Sequence, residues 1–219
     1  MIGIQIAIPS NQQGGGGGPA PVAFIDDKSM VFDGVDEYVD LGSPSFFDGA
    51  GQDFTAACWF KTSSSGPSDI FGKWAGLGTR DWVFYLTSGR VYAYLNTSGG
   101  VVSAIAGAGY GDDIWHLAIM SYDSTAGELT VDIDGGAERT TTAGVAARLG
   151  AAGSKTFVGA RDNGGAGLSF FAGSVDDTYY FDGVAFSAAD CIALFNSGTA
   201  MDARTHAQAA SLAGYWWNG

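Results

Sequence analysis

Apolar side chains alternate with polar or small ones in many short segments of the chain, and turn-forming residues separate these segments. Residues 81–87 and 90–96 both show this period of two, and Ser88-Gly89 lies between them. Such alternation is typical of β-strands, and a two-residue turn between two alternating runs predicts a hairpin. Residues 83–87 carry bulky side chains on both sides, and we therefore expect some outward sheet faces to be covered as well.

From Ser29 onward the pattern predicts a succession of short strands and one helix. The predicted strands are Met30–Phe32, Tyr38–Leu41, Phe54–Lys61, Asp69–Trp74, Asp81–Thr87, Arg90–Asn96, Val101–Ile105, Ile114–Tyr122, Glu128–Asp134, Glu138–Thr142, Lys155–Ala160, Leu168–Phe171 and Ser174–Phe181. Ser187 is placed to cap a helix over Ala188–Phe195, with Asp190 at its third position as in a capping box. Many short strands joined by tight turns indicate an all-β fold, a two-sheet antiparallel sandwich with one short helix.

The first residues of the chain form a separate pattern. Isoleucines at every second position predict a strand with one apolar face, made by Ile2, Ile4, Ile6 and Ile8. The glycines at 14–18 and the prolines that follow them predict a linker between this strand and the rest of the chain. The segment is either a frayed terminus or an extended arm that adds a strand to a neighbouring subunit or a second protein. We favour the arm, whose four isoleucines would be the partner-binding residues.

Composition excludes several classes of function. The chain has 219 residues and a net charge of −13, and its ten Lys and Arg residues are scattered. Nucleic-acid binding needs a basic patch, so we expect no nucleic-acid partner. No apolar run reaches the roughly 18 residues of a membrane span, and no secretory signal is recognisable, which predicts a chain made in a cytoplasm. Cys58 and Cys191 lack metal-ligand spacing and are expected to be buried thiols, with one disulfide as the alternative.

Six segments follow one another in an order that resembles a laminin-G-like, or concanavalin A-like, jelly-roll domain. They are SMVFDGVDEYVDLG (29–42), FTAACWFKT (54–62), DIWHLAIMSYDSTAGELTVDIDG (113–135), FVGARDNGG (157–165), FAGSVDDTYYFDGVAFSAAD (171–190) and IALFNSGT (192–199). The resemblance implies a jelly-roll domain over 29–199, with the arm and linker at 1–28 and a closing segment at 200–219. The closing sequence SLAGYWWNG is similar to a Trp-containing strand that often follows this domain in phage structural proteins.

The same resemblance implies two classes of ligand. Sandwiches of this kind often bind one calcium ion, and here its ligands would be Asp176 in GSVDD and Asp33 in the early turn across from it. The alternative is that these aspartates only belong to turns. Carbohydrate binding would use exposed aromatic rings, and Trp74, Trp82 and Tyr110 near glycine-rich turns could form such a platform. Burial in the core is the alternative for the two tryptophans.

No motif in the chain indicates catalysis. The nearest pair of strand carboxylates is Asp132 and Asp134, but Asp134 precedes glycine in a predicted hairpin turn. Glycoside hydrolysis needs two carboxylates at a fixed separation, one of them with a raised pKa. His116 follows Trp115 in the strand opening typical of the family, which favours a structural role. We therefore predict that the protein is not an enzyme and rank a glycosidase last.

Two functions from different classes remain. The first expectation is a phage virion structural protein, a capsid decoration or tail-associated subunit anchored through its N-terminal arm and assembled in the host cytoplasm. Its partners would be other virion proteins and copies of itself. The arm, the absence of a recognisable export signal and the low density of charged residues support this hypothesis. The alternative is a lectin-like, carbohydrate-binding module for attachment to glycans of a host surface.

Overall fold

Two antiparallel β-sheets face each other in the computed structural model, which describes residues 5–6, 28–76 and 79–217. In chain order the elements are β1 (Gln5–Ile6), β2 (Met30–Asp33), β3 (Val39–Asp40), β4 (Phe54–Lys61), β5 (Ser68–Trp74), β6 (Arg80–Thr87), β7 (Arg90–Thr97), β8 (Gly100–Ala108), β9 (His116–Asp123), β10 (Glu128–Ile133), β11 (Glu138–Ala143), β12 (Phe157–Val158), β13 (Arg161–Asp162), β14 (Gly167–Leu168), β15 (Ala172–Asp182), α1 (Ala188–Phe195) and β16 (Leu212–Trp217). The larger sheet has the order β1-β16-β15-β4-β9-β10-β11, with β2 also paired to β15, and the smaller sheet has the order β3-β12-β5-β6-β7-β8. The predicted all-β, two-sheet jelly-roll sandwich is confirmed.

Most strands lie where the alternating pattern predicts them, and the strands predicted over 38–41, 155–160 and 168–171 are each shortened to two residues. The strand predicted over 155–160 is reduced to β12, because Gly159 adopts a φ of +82°. The strand predicted over 168–171 ends with β14, because Ser169 has a φ of 61°. A positive φ takes the backbone out of the extended region, which interrupts the strand pairing at these two positions.

The main core lies between the two sheets. Alternation directs Trp82 and Phe84 of β6 inward, and the Trp82 ring stacks 5.7 Å from that of Tyr180 on β15. A buried ion pair crosses this core, since Arg148 donates to both carboxylate oxygens of Asp81 at 2.7 and 2.6 Å. Its other N–H groups donate to the Tyr180 hydroxyl and to a backbone carbonyl, which is what a buried pair needs to be tolerated.

The outer face of the larger sheet is covered by the chain itself. α1 and the segment between α1 and β16 pack on Trp59 and Phe181 to form a second apolar cluster. The predicted capping box is confirmed, because the Ser187 hydroxyl accepts from the Asp190 backbone N–H and the Asp190 carboxylate accepts from that of Ser187. The covered face agrees with the expectation that some outward sheet faces are covered, whereas Tyr85 on the outer face of the smaller sheet stays partly exposed. No helix among the described residues is long and apolar enough to cross a membrane.

The two cysteines lie on opposite faces of the larger sheet. Cys58 belongs to the main core and Cys191 of α1 to the second cluster, and both are buried free thiols, as predicted. Burial raises the pKa of the Cys191 thiol to about 12, so it is not a reactive thiolate at neutral pH.

Two terminal segments extend the larger sheet. β16 pairs with β15, so the predicted closing strand is part of the sheet. β1 pairs antiparallel with β16 of the same chain, with Gln5–Ile6 opposite Trp216–Trp217. The described part of the predicted arm thus adds a strand to its own sheet. Ile2, Ile4 and Ile8 lie outside the described residues, and partner binding by the four isoleucines stays a prediction.

Candidate functional site

The outer face of the smaller sheet carries a row of partly exposed tyrosines. β6 and β7 place Tyr85, Tyr92 and Tyr94 on this face, because the alternate residues of both strands point into the core. Tyr85 lies opposite Tyr92 in the strand register. The ring centroids of Tyr92 and Tyr94 are 5.6 Å apart, and those of Tyr85 and Tyr94 are 5.9 Å apart. None of the three hydroxyl groups makes a hydrogen bond to the part of the chain that the structure describes.

A β-bulge at Asp81 adds a tryptophan and an arginine to this face. The register shifts so that Lys73 lies opposite Trp82 while Trp74, the next residue, lies opposite Arg80. Asp81 is the extra residue and points inward with Trp82, which leaves Arg80 on the outer side. The Arg80 Cζ atom lies 5.5 Å from the centroid of the Trp74 ring. Its Nε atom is buried and has no hydrogen-bonding partner among the described residues.

A buried carboxylate lies at the other end of the row. Asp69 of β5 is fully buried, and Arg161 of β13 donates from Nε to its Oδ2 atom at 2.7 Å. The Arg161 guanidinium also lies 5.9 Å from the ring centroid of Tyr85. The Oδ1 atom of Asp69 has no hydrogen-bonding partner within residues 28–76 and 79–217. Burial raises the pKa of Asp69 to about 6, although the charge of Arg161 opposes this rise.

These side chains surround a pocket of about 250 Å³. It is lined by Asp69, Trp74, Arg80, Val83, Tyr85, Tyr94, Val101 and Arg161. Burial and the neighbouring Tyr92 raise the pKa of Tyr94, so its hydroxyl is protonated at neutral pH and can both donate and accept. Ring faces beside hydroxyl and guanidinium groups suit a small polar ligand that has one apolar side. We call Asp69, Trp74, Arg80, Tyr85, Tyr92, Tyr94 and Arg161 the tyrosine face.

The three aromatic residues predicted as a ligand platform lie in three different places. Trp74 lines the pocket, with 6% of its surface exposed. Trp82 is fully buried and meets the Phe71 ring edge-on at 4.9 Å, so its prediction as a ligand-binding residue was wrong. Tyr110 does not line the pocket, and its hydroxyl donates to Glu138 at 2.7 Å. The structure therefore brings only Trp74 of the three to the tyrosine face.

The other members of the tyrosine face were not predicted from sequence. A two-residue turn at Ser88-Gly89 pairs residue 85 with residue 92, so the hairpin pattern contained the signal for the tyrosine row. The contact of Arg161 with Asp69 had no such signal, because 92 positions separate them along the chain.

The predicted calcium ligands do not come together. Asp33 ends β2 opposite Ala172, whereas Asp176, four positions further along β15, lies opposite Trp59. Four strand positions correspond to ~13 Å. The Asp33 carboxylate accepts from the Val35 backbone N–H at 2.7 Å, as in an Asx turn. Within the described ranges no three His, Cys, Asp or Glu side chains converge, so this pair does not fit one calcium site. Calcium binding itself stays a prediction.

The carboxylates considered for catalysis have structural partners. Asp132 accepts from Arg139 at 3.2 Å and from a backbone N–H at 2.8 Å. Asp134 lies 2.8 Å from Nδ1 of His116 and accepts from a backbone N–H at 2.9 Å. Burial lowers the pKa of His116, but its hydrogen bonds to Asp134 and Asp112 raise that pKa above the usual value. This cluster ties β9 to the β10–β11 turn.

A second pocket, of about 350 Å³, lies on the opposite side of the sandwich. It is lined by Lys28, Ser29, Trp59, Trp115, Asp176, Gly198 and Ala200. Trp115 is 37% exposed, whereas Trp59 is buried against the Phe195 ring at 5.7 Å. The pocket thus presents one accessible ring, compared with the row of rings on the tyrosine face.

The profile of one protein family matches residues 33–190, which include most of the sandwich and the whole tyrosine face. It is a laminin G family described as the concanavalin A-like lectin/glucanases superfamily. The chain belongs to this superfamily. The resemblance seen in the sequence is thereby confirmed at the level of the domain. No curated protein matches the sequence.

Solved structures of this superfamily's fold are similar to the chain. The CBM40 domain of Ruminococcus gnavus IT-sialidase bound to α2,3-sialyllactose matches with a TM-score of 0.62 and 17% identity, over 78% of this chain and 98% of that one. The heptameric SAP-like pentraxin of Limulus polyphemus matches with a TM-score of 0.60 and 13% identity, over 80% and 84%. Domains LG4-5 of the mouse laminin α1 chain match with a TM-score of 0.55 and 15% identity, over 74% of this chain and 44% of that one. At these identities the likeness shows the fold alone.

Proposed function

We propose that the protein is a non-catalytic carbohydrate-binding module whose ligand lies on the tyrosine face. One observation carries the proposal: aromatic rings and unengaged hydroxyl groups surround a pocket on the uncovered outer face of the smaller sheet. The C–H groups on one side of a sugar ring can pack on such rings, while the sugar hydroxyls bond to the polar groups. The lectins of the superfamily and the sialyllactose held by the R. gnavus module support the same function.

The chemistry of the pocket favours binding over hydrolysis. Asp69 is the single carboxylate among the described residues that line it, and Arg161 holds that carboxylate. Glycoside hydrolysis typically uses a pair of carboxylates, so this face lacks the second group. The pocket is also smaller than the roughly 300–1,000 Å³ of typical small-molecule sites. We therefore expect weak single-site affinity, with a Kd on the order of 0.1–1 mM.

A glycan array probed with the whole chain tests the proposal. We expect Tyr94→Ala to weaken binding at least about tenfold, since it removes a ring and a hydroxyl from the centre of the face. Trp115→Ala is the matched control, because it removes an exposed ring from the other pocket. Absence of glycan binding would contradict the function. Binding that Trp115→Ala removes and Tyr94→Ala leaves intact would contradict the site.

The virion role expected from the sequence stays a prediction. None of the similar structures named above is a virion protein. Deleting residues 1–18 would test it, since an anchoring arm predicts a folded sandwich that no longer enters particles. The two roles are compatible, because a module on a particle surface can also bind glycans.

A further inference from the structure

We propose that the tyrosine face selects glycans that carry a single anionic group, and that Arg80 holds this group. The inference rests on the proposed function, because it names the class of sugar that the same face binds. It follows from the charges around the pocket, from the environment of Arg80 and from the position of Arg80 relative to the aromatic rings.

The charges around the pocket leave one cation uncompensated. The Arg161 guanidinium is matched by the Asp69 carboxylate, 2.7 Å away. Arg80 lines the same pocket and forms no ion pair with any residue that the structure describes. At neutral pH the pocket therefore holds two positive charges and one negative charge. The chain as a whole has a net charge of −13, so this face is a small positively charged region on an acidic protein.

The environment of Arg80 differs from that of the other arginines. Four arginines pair with aspartates at 2.6–3.2 Å, namely Arg139, Arg148, Arg161 and Arg204. Arg90 is exposed to solvent at the β6–β7 turn. Arg80 is partly buried against Trp74, and its Nε atom lacks both a partner and contact with water. A buried Nε–H group without an acceptor costs free energy, which an anionic ligand would offset.

The position of Arg80 also fits a sugar that stacks on the rings. Its carbonyl oxygen accepts from Nδ2 of Asn96 at 3.0 Å, which ties its backbone to β7. The Trp74 and Tyr94 rings lie 6.0 Å apart beside it. A sugar ring on Tyr94 would lie beside Trp74 and bring an acidic substituent within reach of the guanidinium. Arginine binds carboxylate and sulfate oxygens through paired N–H donors, which makes the contact selective. A single cation on a negative chain disfavours polyanions.

The experiment compares matched sugars that differ by one acidic group. Binding of the whole chain is measured by calorimetry to sialyllactose against its carboxyl methyl ester, and to a galactose-6-sulfate glycoside against the galactoside. We expect at least about tenfold tighter binding of one or both acidic members, and the two pairs distinguish carboxylate from sulfate. Arg80→Gln should weaken binding of the acidic member of each pair much more than binding of the neutral member, so that the preference is lost. Arg80→Lys should retain part of it, because the charge stays and the paired donors are lost.

The control is Arg90→Gln, which removes the same charge from the same sheet outside the pocket. It should keep the preference, and an equal loss in both variants would overturn the assignment to Arg80. Equal binding of acidic and neutral sugars by the unmodified protein would overturn the inference and leave the proposed function standing. If no sugar binds, both fail. Near-ultraviolet circular dichroism shows whether each variant is folded.

Discussion

The two outer faces of the sandwich both carry stacked tyrosines, and they differ in what the hydroxyl groups contact. On the larger sheet the Tyr179 and Tyr215 rings stack at 4.9 Å beneath the covering segment, and both hydroxyls donate to the Met201 carbonyl oxygen at 3.4 Å. On the smaller sheet Tyr92 and Tyr94 stack at 5.6 Å, and their hydroxyls make no hydrogen bond to a described residue. The stacking of the rings is similar on the two faces, and it is the hydrogen-bonding partners of the hydroxyl groups that distinguish them.

The difference indicates a division of roles between the faces. The covered face supplies stability, because α1 and the segment after it bury apolar side chains there. The uncovered face keeps polar groups that packing within the chain does not use. A binding surface is therefore expected on the smaller sheet, where polar groups remain available to a ligand.

The largest expected effect is a difference in the free energy of unfolding between variants of the two faces. Phe181→Ala should lower the free energy of unfolding by about 3–5 kcal/mol, because the ring is fully buried against Phe186 at 4.6 Å. Tyr85→Ala should cost about 1 kcal/mol, because that ring is partly exposed. Urea denaturation of both variants measures the difference. Similar losses in the two variants would mean that the uncovered face contributes as much to stability as the covered one.

A smaller effect concerns the pH dependence of stability on the uncovered face. Burial raises the pKa of Asp69 from 3.8 to about 6, so the folded state binds this proton more tightly than the unfolded chain does. The stabilisation from the proton is complete below pH 3.8 and is lost as the pH rises through 6. Between about pH 4 and pH 7 the free energy of unfolding should fall by about 2 kcal/mol more in the unmodified protein than in Asp69→Asn.

Urea denaturation across this pH range measures the Asp69 effect. Arg161→Gln is the informative companion variant, because the Arg161 charge opposes the rise in pKa. Without that charge the loss should extend to higher pH. Parallel pH profiles of the unmodified protein and Asp69→Asn would contradict the account of this buried carboxylate.

Most of the fold could be predicted from the sequence because its signals are local. Strand alternation and the spacing of Ser187 and Asp190 each depend on a few neighbouring residues, and the structure confirms both. The site could not be predicted in the same way. Continued alternation would put Arg80 and Trp82 on one face, and the bulge at Asp81 separates them. That bulge depends on a buried contact with Arg148, 67 positions away.

The central claim is that a glycan binds the uncovered face through its tyrosines. Residue-assigned NMR spectra recorded during titration with sialyllactose and, separately, with the galactose-6-sulfate glycoside test it most directly, because each tyrosine ring reports on its own surroundings. The account predicts that the ring signals of Tyr85, Tyr92 and Tyr94 shift with ligand concentration while those of Tyr179 and Tyr215 stay unchanged. Shifts confined to Trp115 and its pocket, or no shift at ligand concentrations well above 1 mM, roughly the weakest affinity expected, would contradict it.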